Sequence, residues 1–163
     1  VGAVRAGVGA EFTVGIRLSQ TKANDTEHRW AEGEAGARYI FRGLVDAGAD
    51  FLHICGAPAE QPAFDDEGPT LAALAKRYGE CPVIANGGLE LPDRAEALLA
   101  AGTADLIALG KGALANPDWP RRVAAEQPIA PMDFAMLAPR ATLDNSERWQ
   151  HRQGERACII GTG

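Results

Sequence analysis

PVIANGGLELPDRAEALLAAGTADLIALGKGALANPDW, residues 82–119, reads as a short apolar strand ending in Asn86-Gly87-Gly88, an amphipathic helix, a second apolar strand ending in Gly110-Lys111, and the start of another helix. Two neighbouring parallel strands whose ends carry small residues, each followed by a helix, predict a socket for phosphate. Backbone N–H groups converge there, helix dipoles add partial positive charge, and glycine lets an anion approach without a Cβ in the way. Lys111 adds an ammonium, a point charge rather than the planar fork of an arginine. Either glycine turn alone could be a plain strand-to-helix connection. The two together, one strand apart, carry the phosphate reading.

Upstream, residues 1–9 read as the end of a helix, and residues 12–18 (FTVGIRL) as a strand. Its Phe12, Val14, Ile16 and Leu18 fall on one face, and Thr13, Gly15 and Arg17 on the other. The apolar face suits covering helices, and the small or polar face suits a barrel interior with a charge at its top. Residues 19–30 are polar and loop-like. Residues 34–47 read as a helix with Ala37, Ile40, Phe41 and Leu44 on one stripe, and Gly48 fits its C-terminal cap. Residues 50–55 (DFLHIC) form the next strand, and residues 57–68 a loop rich in proline and acid. Leu71, Leu74, Ala75 and Tyr78 repeat the helical stripe, as do Ala95, Leu98 and Leu99 further on. A last helix is expected over residues 118–126. The tail, residues 131–163, is polar and partly irregular, with a short helix expected near 146–153.

About four strand–helix units with near-continuous apolar strands mean a parallel sheet covered by helices. A doubly wound sheet and a (β/α)8 barrel both fit that pattern. A dinucleotide fold places its glycine-rich turn after the first strand. Here the glycines follow the last two strands, where (β/α)8 barrels build phosphate sites. The expected fold is therefore α/β, the C-terminal half of a (β/α)8 barrel over residues 1–130. The opening VGAVRAGVGAEF looks like a helix already under way, so the chain is expected to be a fragment.

A chain of 163 residues with a net charge of −6 and no run of Lys or Arg argues against a nucleic-acid surface. No apolar stretch approaches the ~20 residues of a membrane span, and no signal-peptide pattern stands out. Cys55, Cys81 and Cys158 form no close pair, which suggests reduced thiols in a cytoplasm, read as small buried residues. His28, His53 and His151 share no ligand spacing with them, so no metal site is expected. His53 falls on the strand interior and reads as a hydrogen-bonded core histidine, while His28 in its polar loop reads as solvated. Asp65, Asp66 and Glu67 read as a hydrated loop. No Ser–His–Asp or Cys–His arrangement can be assembled, so no catalytic residue is assigned.

VGIRLSQ, AGADFLHIC, PVIANGGL, ADLIALGKGALANPDWP and FAMLAPRATLDN together resemble, in order and spacing, the C-terminal half of the old yellow enzyme-type NADH:flavin oxidoreductases. The resemblance covers residues 1–145. It implies an FMN-containing barrel that takes hydride from NADH or NADPH onto flavin N5 and passes it to an activated alkene such as an enone. Matched position by position, it implies that Arg17 contacts the flavin pyrimidine and that Gly87 and Gly88, with Asn86 beside them, serve the FMN phosphate. Gly110 and Lys111 match a Gly-Arg pair that grips the same phosphate, with Lys in place of Arg. An arginine against the ring would stabilise its reduced anion and raise its potential. The family's alkene-binding His with His or Asn, its tyrosine acid and the glutamine under the flavin lie on earlier strands and are not among these residues. The expected partner is therefore the missing N-terminal half, without which the chain would be inactive. Two other readings stay open: a non-catalytic half-barrel that self-associates, and a barrel enzyme taking a phosphorylated substrate. Some relatives continue into a cysteine-rich iron–sulphur segment, which Cys158 and the closing ACIIGTG do not make.

Overall fold

The computed structural model describes residues 1–160 except 23, 57 and 65, with side chains through residue 152. It divides into two compact units, Val1–Ile129 and Ala130–Gly163. Cys158, Asp65 and the ACIIGTG end, singled out above, lie outside the described side chains or residues.

The first unit runs α1 (Gly2–Val8), β1 (Gly15–Ser19), α2 (Gly33–Asp46), β2 (Phe51–Cys55), α3 (Leu71–Gly79), β3 (Val83–Asn86), α4 (Pro92–Ala100), β4 (Leu106–Ala108), α5 (Lys111–Ala115) and α6 (Trp119–Ala124). The four strands form one sheet in the order β1-β2-β3-β4, every pair parallel. Strands in sequence order, each joined to the next through helix, are the layout of part of a (β/α)8 barrel. The helices cover one face. Ala37 and Phe41 of α2, Leu74 and Ala75 of α3, and Ala95 and Leu98 of α4 pack with Leu52, Ile54, Val83 and Ala85 in a single core.

Local chemistry sets the element ends. The Thr70 hydroxyl accepts a hydrogen bond from the Ala73 N–H at 3.1 Å and caps α3. Gly48 lies one residue beyond the Ala47 cap of α2 with φ of 96°. Its N–H donates to Val45 O at 2.8 Å, while the Ala49 N–H donates to Leu44 O at 3.1 Å. That pair of bonds closes the orphan carbonyls of the helix and needs a residue free to adopt positive φ. Two aspartates then repeat one device. Asp50, just before β2, accepts the Val14 N–H at 2.7 Å and pairs with Arg5. Asp105, just before β4, accepts the Val83 N–H at 2.7 Å and pairs with Lys76 at 2.9 Å. Each carboxylate ties the N-terminal ends of two adjacent strands. Both are held below the usual carboxylate pKa of 3.8. For Asp50 the Val14 N–H is the first cause and Arg5 the next; for Asp105 they are Lys76 and then the Val83 N–H.

Three expectations need correction. The first strand begins at Gly15, not residue 12, and Phe12 is 61% exposed. The Arg5 guanidinium takes the carbonyls of Gly9 and Phe12, so that segment follows α1 instead of joining the sheet. The last helix of the first unit is shorter than expected and is preceded by a separate one, α5, directly after β4. In the second unit, a 3-10 helix (Phe134–Leu137) is followed by α7 (Leu143–Ile160), far longer than the short helix expected there. Its sequence hides it because the contacts described for its first turns are polar rather than an apolar stripe. The Thr142 hydroxyl accepts from the Asn145 N–H, and Arg148 reaches back to Asp144 O and Asn145 Oδ1.

Candidate functional site

Period-two alternation turns every second residue of the strands away from the helices. The register aligns Ser19, Cys55, Asn86 and Ala108 in one row across the sheet, and Arg17, His53, Ile84 and Leu106 in the row below. Above them, at the C-terminal ends of the strands, lies a cleft of about 490 Å³. Arg17, Asn86, Gly87, Gly88, Gly110 and Lys111 all line it, so the six residues picked from sequence share one site. Its volume falls within the range of small-molecule sites.

The glycine turns differ in form. Gly87 and Gly88 have φ of 137° and 72°, conformations a side-chain-bearing residue rarely adopts. Three residues (Leu89 to Leu91) separate them from α4, so this turn does not run straight into a helix N-terminus. Gly110 leads directly into α5, which is only five residues long. The dipole contribution expected from sequence is therefore small, and positive charge at this end of the cleft rests on Lys111. Glu90 also lines the cleft, and its side chain fills the space where a Cβ on Gly112 would stand. The Trp119 indole N–H donates to Glu90 O at 2.8 Å and holds that segment against α6.

Arg17 is exposed to the cleft. Among the described residues it has no carboxylate partner; its guanidinium donates to Cys55 Sγ. Cys55 in turn meets Asn86 Oδ1 at 2.9 Å, and Asn86 Nδ2 donates to Ala108 O at 2.7 Å. The Asn86 carboxamide is thus engaged at both ends within the sheet. His53 stands beside Arg17 in the register. Its Nε2 is buried without a hydrogen-bond partner among the described residues, contrary to the expectation of a hydrogen-bonded core histidine. Burial first, and the Arg17 charge second, hold its pKa below the usual 6.5, so the ring is neutral at pH 7. His28 is also not simply solvated: its Nδ1 lies 2.8 Å from Gln20 O.

Sequence reading missed Cys55, Ser19 and Glu90 as cleft residues. Cys55 was legible, because it shares strand parity with His53 and stands at a strand end; Glu90 was not, since its place depends on the turn that follows Gly88. Arg94 is a further neighbour, 3.6 Å from where a Gly88 Cβ would lie and paired with Glu60 at 2.6 Å. Among the described residues no cluster of His, Cys, Asp and Glu could hold a metal, and no helix is long and apolar enough to cross a membrane.

A half-open parallel sheet with a glycine-edged cleft at the C-terminal ends of its strands has the layout of the ligand-binding end of a barrel enzyme. Residues 1–129 match the NADH:flavin oxidoreductase / NADH oxidase family, and the chain belongs to that family, the old yellow enzymes among its members. It is similar to the NADH oxidase of Thermoanaerobacter brockii, 28% identical over 127 residues, which are 73% of this chain and 19% of that protein. Morphinone reductase N189A in complex with tetrahydroNAD superposes with a TM-score of 0.63 at 30% identity, covering 80% of this chain and 34% of that one. The old yellow enzyme homologue from Zymomonas mobilis superposes with a TM-score of 0.59 at 25% identity, covering 78% of this chain and 35% of that one. The chain thus spans between about a fifth and about a third of these proteins.

Proposed function

We propose that this chain forms the phosphate-gripping part of an FMN-dependent NAD(P)H oxidoreductase of the ene-reductase type. When bound, FMN would supply the hydride chemistry between NADH or NADPH and an activated alkene such as an enone. The observation that carries this reading is the convergence of Arg17, Gly87, Gly88, Gly110 and Lys111 on one cleft at the strand ends. The fit to FMN is good at the ring end. There an arginine without a carboxylate partner among the described residues faces the cleft and offers donors to a ring carbonyl and nitrogen. At the phosphate end, Gly110 has no atom within 4 Å of an added Cβ, which leaves room for an oxyanion against the backbone, and Lys111 supplies charge.

The chain's own residues bind and orient. Lys111 and the glycine backbones hold the phosphate; Arg17 fixes the pyrimidine edge and favours negative charge on it; Asn86 keeps β3 and β4 in register beneath. On this reading the alkene ligands and proton donor come from further strands that would pack on the open face and pair with the edge strands β1 and β4. A phosphorylated substrate in place of FMN is the second reading, favoured by the same socket but leaving Arg17 without an acceptor.

The test is FMN titration of the protein carrying this chain, followed by absorbance and flavin fluorescence, against a panel of sugar phosphates. A yellow complex that Arg17→Ala and Lys111→Ala both weaken supports the proposal. Protein that stays colourless while a sugar phosphate binds supports the second reading and ends the first.

A further inference from the structure

We propose that Cys55 is a positioning residue, whose thiol ties the Arg17 guanidinium to the Asn86 carboxamide and so sets how Arg17 meets the ligand. The inference rests on the flavin reading of the cleft and extends it to a residue that reading does not use. A thiol has one weak donor and a weak acceptor, and here both are engaged. The sulphur accepts from Arg17 Nη2, and the S–H points to Asn86 Oδ1 at 2.9 Å. Because the S–H claims the amide oxygen, Asn86 Nδ2 is turned the other way, donating to Ala108 O at 2.7 Å. One relay therefore crosses the whole sheet, from Arg17 on β1 through Cys55 on β2 and Asn86 on β3 to the β4 backbone, three residues before Lys111.

Packing does not account for the thiol. Its strand neighbour Ile54 is 2% exposed and belongs to the core, whereas Cys55 turns to the open face and lines the cleft. A long arginine side chain loses considerable rotamer freedom when a ligand fixes it. A tether already in place removes part of that loss before the ligand arrives, which is pre-organisation. Valine has nearly the shape of cysteine and neither hydrogen-bonding group; serine keeps both. The two substitutions therefore separate tethering from filling.

The experiment compares Cys55→Ser, Cys55→Val and Cys55→Ala in the protein carrying this chain, by FMN affinity and by the midpoint potential of the bound flavin. Loss of a net hydrogen bond corresponds to roughly three- to tenfold in affinity. We expect Cys55→Val and Cys55→Ala to bind FMN about three- to tenfold more weakly and to lower the flavin potential, with Cys55→Ser within about twofold of the parent. A merely structural role would not move the potential or be rescued by serine. Equal affinity and potential across parent, serine and valine forms overturns the inference while leaving the flavin reading intact. A parent protein that takes up no FMN overturns the flavin reading itself.

A second measurement needs no ligand. The infrared S–H stretch of Cys55, assigned by its loss in Cys55→Ser, should move to higher frequency in Asn86→Leu as its acceptor disappears. A band that stays put shows no S–H···O bond and overturns the tether whatever the flavin does.

Discussion

On the helix-covered face of the sheet, Leu52, Ile54, Val83 and Ala85 are at most 2% exposed, pressed under α2, α3 and α4. On the opposite face of the same strands, Arg17, His53, Cys55 and Asn86 carry polar groups, and Leu106 is 55% exposed. The backbone is shared and only the parity differs. Each buried Val, Leu or Ile contributes about 1.5–3 kcal/mol, so the covered face holds the unit together, while the open face is left to binding. Interleaving the two residue by residue means that either can be altered with little effect on the other.

The largest expected break in that comparison is Phe41→Ala. The ring is fully buried at the centre of the core, and its loss should cost about 3–5 kcal/mol in denaturant unfolding. Leu106→Ser on the other face should change the stability of this chain by no more than about 0.5 kcal/mol. If the serine costs as much as the alanine in this chain on its own, a second copy already covers the open face there, and the contrast drawn here does not hold.

Next in size is Lys111→Ala, at the end of β4. Removing a charge-assisted contact to an anion costs about 1.5–3 kcal/mol, so FMN affinity should fall roughly ten- to a hundredfold while the unfolding midpoint stays put. Lys111→Arg should restore or exceed parental affinity, because a planar fork suits phosphate better than a point charge. A fall in both affinity and stability would mean that Lys111 belongs to the fold rather than to the binding face.

How far these faces were legible follows from what sets each residue's position. Periodicity alone located Ala37, Phe41, Leu71, Leu74, Ala95 and Leu98 as core, because helix stripes and strand parity are local properties. Gly87, Gly88, Gly110 and Lys111 were legible as residues lining one cleft, since glycine or lysine at the end of an apolar strand is a local pattern. Phe12 was misplaced because a side-chain interaction within a few residues, Arg5 with the carbonyls of Gly9 and Phe12, overrode an alternating pattern that looked like strand. The Arg17–Cys55–Asn86 relay could not be read at all, because it depends on the register of strands 31 to 38 residues apart. Helix α7 was underestimated for a different reason: the contacts described for its first turns are polar, among them the Trp149 indole N–H donating to Asp133, and polar contacts leave no apolar stripe to find.

A smaller effect tests the seam between the α2 helix and the sheet. Gly48 has φ of 96°, and an added Cβ would lie 3.0 Å from Arg5 Cγ. Gly48→Ala should cost about 1–2 kcal/mol, the ordinary penalty for a left-handed L-residue. Because Arg5 also serves Gly48 O and Asp50, the same substitution should loosen the N-terminal ends of β1 and β2 while leaving FMN affinity unchanged.

The smallest effects are in pH, and they separate the two ends of the sheet. Asp50 and Asp105 have folded-state pKa values below 3.8, so the unfolded chain takes up their protons first as pH falls. Their stabilisation is whole above about pH 5 and fades as pH drops through 4 and below. Both side chains are more than two-fifths exposed, so solvent keeps each contribution modest. His53 works in another window. Held below 6.5 by burial and then by Arg17, it is protonated first in the unfolded chain, so stability declines as pH falls from about 6.5. An NMR titration of the histidines should show the His53 midpoint rising in Arg17→Gln, yet not reaching 6.5, because burial is the larger cause and remains. An unchanged midpoint would mean that Arg17 points away from His53. A midpoint at the solvent value would mean that the row beneath the cleft is wet, and that the open face has no low-dielectric floor against which Arg17 could act on a ligand.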